Sequence, residues 1–185
     1  MDITIIILII CILLLLFIKI SVYNKKYTVL RVLDGDTIAI GNKNAKKVPR
    51  SRKYRGEKVI RLIGVNAPES QKSFKDIEPY GKESKEWLIK LILNQKVTIS
   101  YDKQRIDKFN RHLCYVYMGG EMINKMIAYN GMGFVDEVLP NNKHISILRK
   151  AENHAKNKKR GLWKIYQSPT KIRKKYKHLD TYNKF

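Results

Sequence analysis

Hydrophobic positions along the 185-residue chain fall into three regimes. From Ile3 to Ile18 they are continuous apart from Thr4. With Ile20 and Val22 the run reaches about 20 residues, which at about 1.5 Å per residue matches a bilayer core of about 30 Å. From Thr28 they alternate with polar residues, and beyond Tyr80 alternating stretches are interleaved with stretches of helical period. The first regime predicts a transmembrane helix. A cleaved signal peptide is the competing reading, but no basic segment precedes the run and no small-x-small cleavage site lies between Phe17 and Val22. Lys19, Lys25, Lys26 and Arg31 follow the run, whereas only Met1 and Asp2 precede it. The positive-inside rule therefore predicts a single-pass membrane protein with its main domain cytoplasmic, an extracellular or secreted placement being the alternative.

Thr28 to Leu33 alternates with β-branched residues, Asp34-Gly35 supplies a hairpin turn, and Thr37 to Ile40 resumes the strand. Further strands are predicted over Val59 to Val65, Val97 to Tyr101 and His112 to Tyr117, the last with Leu113, Tyr115 and Tyr117 on one face. Helical spacing marks Tyr80 to Leu93 through Trp87, Leu88, Leu91 and Ile92. It returns over Met122 to Asn130, with Gly131 as a stop, and over His144 to Lys159, closed by Gly161. Gly41 to Lys58 has no apolar period, and the sixteen residues from Lys43 hold eight Lys or Arg, so a mobile basic loop is expected. Five short strands must close on themselves to avoid raw edges. The predicted fold class is α+β, a five-stranded OB-fold barrel with three packed helices behind one transmembrane helix. The domain plan is an anchor over 1–22, a basic linker over 23–26, the barrel domain over 27–166 and a solvated basic tail over 167–185.

Charge narrows the partner. Lys and Arg total 38 against 16 Asp and Glu, a formal net charge of +22. That balance points to a polyanion, nucleic acid first and an anionic membrane surface second. Cys11 lies in the apolar run and Cys114 in a predicted strand, which excludes a disulfide framework and a thiolate metal site. His112, His144, His154 and His178 show no zinc-ligand spacing.

Each polar motif is weak by itself: Asp34-Gly35-Asp36-Thr37 is first of all a turn, Arg61 and Arg111 are cations in a basic protein, and Glu69 follows Pro68. Together they offer two acidic strand ends, with one arginine on a strand and another beside a strand. Phosphodiester hydrolysis uses such a set: oxygen ligands for a hard cation, a carboxylate for the attacking water, and guanidinium groups for the charge that grows on the phosphoryl oxygens. The planar fork of arginine meets two phosphate oxygens at once.

Five collinear blocks then resemble the staphylococcal nuclease family: Arg31 to Thr37, Arg61 to Glu69, Tyr80 to Glu83, Asp107 to Arg111, and Gly161 to Trp163. The resemblance covers Tyr27 to Trp163. It implies an OB barrel with three helices that cuts DNA and RNA with Ca²⁺ and leaves 3′-phosphates. By position it implies Asp36 as a calcium carboxylate, Asn66 and the backbone carbonyl of Ala67 as further ligands, Arg61 and Arg111 as catalytic arginines, and Glu69 as general base. Asp34 would orient the turn. Asn66 stands where the family has a second calcium-binding Asp, Phe109 where it has a Tyr, and Asp136 to Leu139 lacks base-stacking tyrosines. A monomer without a protein partner is expected, acting on nucleic acid. The rival readings are a non-catalytic nucleic-acid-binding module and a membrane-surface protein.

Overall fold

The computed structural model describes residues 3–23, 25–48, 53–70 and 78–165, with the side chains of 3–14 in the first of these segments. The tail over 167–185 and the tip of the basic insertion, Pro49 to Arg52, lie outside the described residues. Helix α1 (Ile3–Tyr23) is present, but the transmembrane expectation is corrected: among the described residues no helix is long and apolar enough to cross a membrane. The single-pass placement, and the cytoplasmic or extracellular side read from the flanking lysines, lose their basis.

The rest is mixed α and β, mostly sheet. Strands β1 (Tyr27–Asp34) and β2 (Thr37–Gly41) form the predicted hairpin, with Asp34 opposite Thr37 across the turn. Strand β3 (Lys58–Leu62) pairs antiparallel with β2 and parallel with β6 (His112–Met118). Strand β5 (Lys96–Ile106) joins β6 to β1, so the pairings run β1–β2–β3–β6–β5 and return to β1. The predicted third strand, Val59 to Val65, is instead two elements. Gly64 takes φ 75°, in the left-handed region that favours glycine, and breaks it. Beyond that turn β4 (Val65–Asn66) leaves the main sheet to pair with β8 (Phe134–Val135). The two-residue β7 (Glu121–Met122) completes the main sheet.

Helix α2 (Gly81–Ile92) buries Leu88 and Ile92, with Trp87 and Leu91 packed at the core margin, as the helical spacing requires. Helix α3 (Ile123–Tyr129) buries Ile123 and Ile127 and stops at Gly131. Helix α4 (Ile145–Asn157) buries Leu148, Ala151 and Ala155. On β6 the core takes Cys114, Tyr115 and Val116 together, because α3 and the sheet interior cover both faces of that strand.

The described parts of the basic insertion are tied down. Lys47 pairs with Tyr54 in an antiparallel bridge, the Val48 N–H donates to the Lys53 carbonyl, and the Arg55 N–H donates to that of Lys46. At its base, Glu57 accepts two hydrogen bonds from Arg31, at 2.5 and 3.3 Å, and one from the Tyr54 N–H. A forked pair of this kind fixes geometry as well as charge.

One buried amide links helix and sheet. Asn124, fully buried on α3, accepts from the Val116 N–H at 2.9 Å and donates to the carbonyls of Ile63 at 2.8 Å and Cys114 at 3.3 Å. Asn124→Ala removes the bonds to the Val116 N–H and the Ile63 carbonyl where no solvent replaces them, while the Cys114 carbonyl keeps the Ile63 N–H at 3.0 Å. It is expected to lower unfolding stability by about 2–4 kcal/mol, measured by urea denaturation; a loss within error of zero would show that the amide is dispensable.

Candidate active site

The tight hairpin turn brings Asp34 and Asp36 to one end of the β1–β2 pair. Gly35 is required there because a Cβ would strike the Ser84 hydroxyl and stand 2.6 Å from Ala67 Cβ. Asp36 is buried, and its carboxylate is shared three ways. Oδ1 accepts from the Thr37 hydroxyl at 2.8 Å, while Oδ2 accepts from the Ala67 N–H at 2.8 Å and lies 3.2 Å from Arg61 Nη2. A single side chain thus joins the turn to β3 and to the segment after β4.

Arg61 reaches across the same space. Nη1 donates to the carbonyls of Leu62 at 3.0 Å and Val65 at 2.7 Å, and Nη2 donates to Asn66 Oδ1 at 2.9 Å. The Gly64 turn makes this possible by folding the chain back, so that Val65 and Asn66 face the arginine four and five positions upstream. The structure therefore brings together Asp36, Arg61, Asn66 and Ala67 in direct contact.

Glu69 is fixed through its backbone. Its N–H donates to Glu78 Oε2 at 3.1 Å, and its carbonyl accepts from the Glu78 N–H at 2.9 Å. Gly81 seals the arrangement, since a Cβ there would collide with the Glu69 carbonyl. Ser84 on α2 donates to the Met132 carbonyl and packs under the Asp34-Gly35 turn. Glu78 and Ser84 escaped the sequence reading, and Gly81 entered it only within the Tyr80 to Glu83 block, without a role. Their only signal is the polar Tyr80-Gly81-Lys82-Glu83 start of α2, which shows no apolar period.

Arg111 is placed differently. It stands one residue ahead of β6, whose His112 is opposite Ile60 on β3. Its Nε and Nη2 both turn to Asp107 Oδ2, each at 2.7 Å, and its guanidinium lies 5.2 Å from the Phe109 ring centroid. Strand pairing brings it alongside β3, but the contacts recorded for it are with Asp107 and Phe109 and not with the carboxylate group.

The carboxylates crowd one another. Burial, helped by the neighbouring Asp36 charge and further by Glu69, pushes Asp34 up to about 6 from its ordinary 3.8. The Ser70 hydroxyl and the Gly35 N–H pull the other way without cancelling the rise. The Gly35 N–H bond to Asp34 Oδ1 is well formed at 2.9 Å, whereas the buried Ser70 hydroxyl has no hydrogen bond of normal geometry.

This donor set suits a hard cation. It consists of oxygens alone, and the repulsion expressed at Asp34 is what a divalent ion relieves. A carboxylate offers about four acceptor sites; Thr37, Ala67 and Arg61 use three of those on Asp36, which leaves Oδ1 with capacity. Among the described residues no group of three or more His, Cys, Asp and Glu is arranged as a ready ligand set. An ion here would rest on Asp36 together with neutral oxygens, those of Ala67 and Asn66, and water.

The family model described as staphylococcal nuclease homologue matches residues 59–165. The chain is 35% identical over 140 residues to a thermonuclease of Staphylococcus hyicus, covering 76% of each chain. It is 34% identical over 143 residues to a thermonuclease of Staphylococcus intermedius, covering 77% of this chain and 79% of that one. Endonuclease YncB of Bacillus subtilis is 32% identical over 136 residues, 72% of this chain and 59% of its own.

The raised Asp34 value gives a signed prediction. A carboxyl whose folded pKa lies above its unfolded one contributes stability below the unfolded value of about 4 and loses it as pH rises through about 6. With divalent ions chelated, Asp34→Asn should therefore resist urea better than the parent protein at about pH 8, and the advantage should vanish below about pH 4. A pH-independent difference would mean that Asp34 ionisation is not the cause.

Proposed function

Because the chain belongs to the staphylococcal nuclease family, we propose that it is a Ca²⁺-dependent nuclease, hydrolysing phosphodiester bonds of DNA or RNA to leave 3′-phosphates. The observation that carries this reading is the contact of Asp36, Arg61, Asn66 and Ala67 around one buried carboxylate, with the Asp34 and Glu69 carboxyls acting on the same space. The returning circuit of strand pairings supports an OB-type barrel as the scaffold. We take residues 27–166 as the catalytic unit.

Asp36, Asn66 and the Ala67 carbonyl would hold the ion, which when bound would supply Lewis-acid polarisation of a phosphoryl oxygen. Arg61 brings a positive charge on a planar fork. Its fork is preorganised by four acceptors, and it exchanges one of them for a phosphate oxygen as substrate binds. Glu69 takes the proton of the attacking water, and the Glu78 clamp holds its backbone at fixed distance from the turn. Arg111 leaves Asp107 to meet the phosphate from the β6 side.

Arg61 and Glu69 are assigned to the transition state, so truncating either should lower turnover more than binding. Arg61→Ala and Glu69→Ala are each expected to reduce kcat by about 100-fold or more, with nucleic-acid affinity in chelator little changed. Turnover at the parent level in both variants would remove the assignment, and no turnover in the parent protein would favour a binding module.

Asn66 is the second test. A carboxylate there adds a full charge beside a divalent ion, an attraction partly cancelled by dehydration and by repulsion from Asp36. Asn66→Asp is expected to tighten Ca²⁺ binding by about ten- to a hundred-fold, read by calorimetric titration at matched ionic strength. Equal affinities would show that Asn66 serves only as the acceptor for Arg61.

A further inference from the structure

At the ends of three strands and midway along β5 the rows that line the core change character. By the two-residue period of a strand, Tyr27 shares a face with Val29, Lys58 with Ile60 and Leu62, Tyr101 with Ile99 and Val97, and His112 with Cys114 and Val116. Val29, Ile60, Leu62, Val97, Cys114 and Val116 are buried, whereas Tyr27, Lys58, Tyr101 and His112 are half-buried. The inward rows are thus apolar within the strand circuit and end in two tyrosines, a histidine and a lysine at one of its mouths.

These residues form a single patch. The Tyr101 hydroxyl and His112 Nδ1 are 2.9 Å apart, with ring centroids 5.9 Å apart. The Arg105 guanidinium lies 4.4 Å from the Tyr101 centroid, and the ammonium groups of Lys25 and Lys58 lie 5.7 and 5.9 Å from that of Tyr27. Burial holds His112 below its ordinary pKa, and the charges of Lys58 and Arg105 add to that, so their fields overlap at the ring. The ion pairs recorded among the described residues engage Arg31, Arg61, Arg111, Arg149 and Lys156, and none of them engages Lys25, Lys58 or Arg105. Three cations rest on aromatic faces with no recorded acidic partner, and cation–π contacts at exposed rings are weak enough to be exchanged.

We propose that this mouth, formed by Lys25, Tyr27, Lys58, Tyr101, Arg105 and His112, is a docking site for single-stranded nucleic acid, separate from the carboxylate–arginine site. The cations meet phosphates and the rings stack on unpaired bases. A duplex keeps its bases stacked inside and would use only the cations, so the rings are what select a single strand. Lys58 and Arg61 lie three residues apart on β3, about 10 Å along the strand and on opposite faces. A strand held at the mouth therefore passes over the Lys58 end of β3 toward Arg61. The identity of this ligand rests on the nuclease reading, but its binding does not require cleavage.

The test uses the full chain in chelator, with fluorescence anisotropy of a labelled oligothymidylate of about 15 nucleotides and of a duplex of the same length. Tyr27→Leu/Tyr101→Leu keeps apolar bulk and removes the stacking faces, and Lys58→Gln/Arg105→Gln removes charge at exposed or half-exposed positions. The tyrosine pair should weaken oligothymidylate binding by about ten-fold and duplex binding by less than about two-fold, while the charge pair should weaken both. Oligothymidylate should also raise the His112 pKa, followed by NMR, because a phosphate comes to lie beside the ring. Unchanged affinity in both variants at parent-like urea midpoints, equal losses for strand and duplex in the tyrosine pair, or an unmoved His112 titration would each overturn the proposal. With Ca²⁺ present, a dinucleotide too short to reach the mouth should be cut by both variants at the parent rate. Binding at the mouth without cleavage of any substrate by the parent protein would defeat the nuclease reading and leave this one standing.

Discussion

A buried carboxylate survives in a fold only where its hydrogen-bonding capacity is met, and Asp36 meets that condition by reaching three separate segments. The Thr37 hydroxyl comes from its own strand, the Ala67 N–H from the chain beyond β4, and the Arg61 guanidinium from β3. The turn geometry, the return of the chain at Gly64 and the orientation of Arg61 are thereby one problem with one solution. Loss of the carboxylate would leave a half-buried guanidinium short of its counter-charge, and loss of Arg61 would leave the acid with a single backbone donor on Oδ2. The site and the local fold are held by the same contacts.

Electrostatics divides the molecule along similar lines. The whole chain carries a net charge of +22, yet the carboxyls of Asp34, Asp36 and Glu69 converge within it. A pocket of like negative charge inside a strongly positive surface draws a cation to one point and a polyanion to everything around it. Arg61 stands on the boundary, and its four acceptors keep it there. The cationic and aromatic mouth at Tyr27 and Tyr101 lies on the other face of β3 from Arg61, which gives a long substrate two separate anchorages.

Local pattern revealed the β1–β2 hairpin, the three helices that follow it in the chain and the strands β5 and β6, because each rests on period and turn chemistry. Non-local contacts were hidden. β4 and β8 are two residues each, too short to alternate, and they exist because Gly64 turns the chain toward Phe134. The basic insertion looked like a free loop since it lacks an apolar period, but Glu57 and the Lys47–Tyr54 bridge hold its described parts by polar bonds that no hydrophobic period reports. At the site, the Arg61 and Asp36 blocks stood out through family resemblance and not through spacing alone. Glu78, which grips the backbone on both sides of Glu69, did not, since a buried glutamate nine residues away has no sequence signature. The apolar N-terminal run read as a membrane span, a conclusion that length in the sequence invited and the described helix does not sustain.

If the carboxylate–arginine cluster makes this chain a calcium-dependent nuclease, as proposed, the full chain releases acid-soluble nucleotide from single-stranded DNA or from RNA in calcium. Chelation should abolish that release, and renewed calcium should restore it. Absence of release in calcium, or release undiminished by chelation, would contradict the proposal.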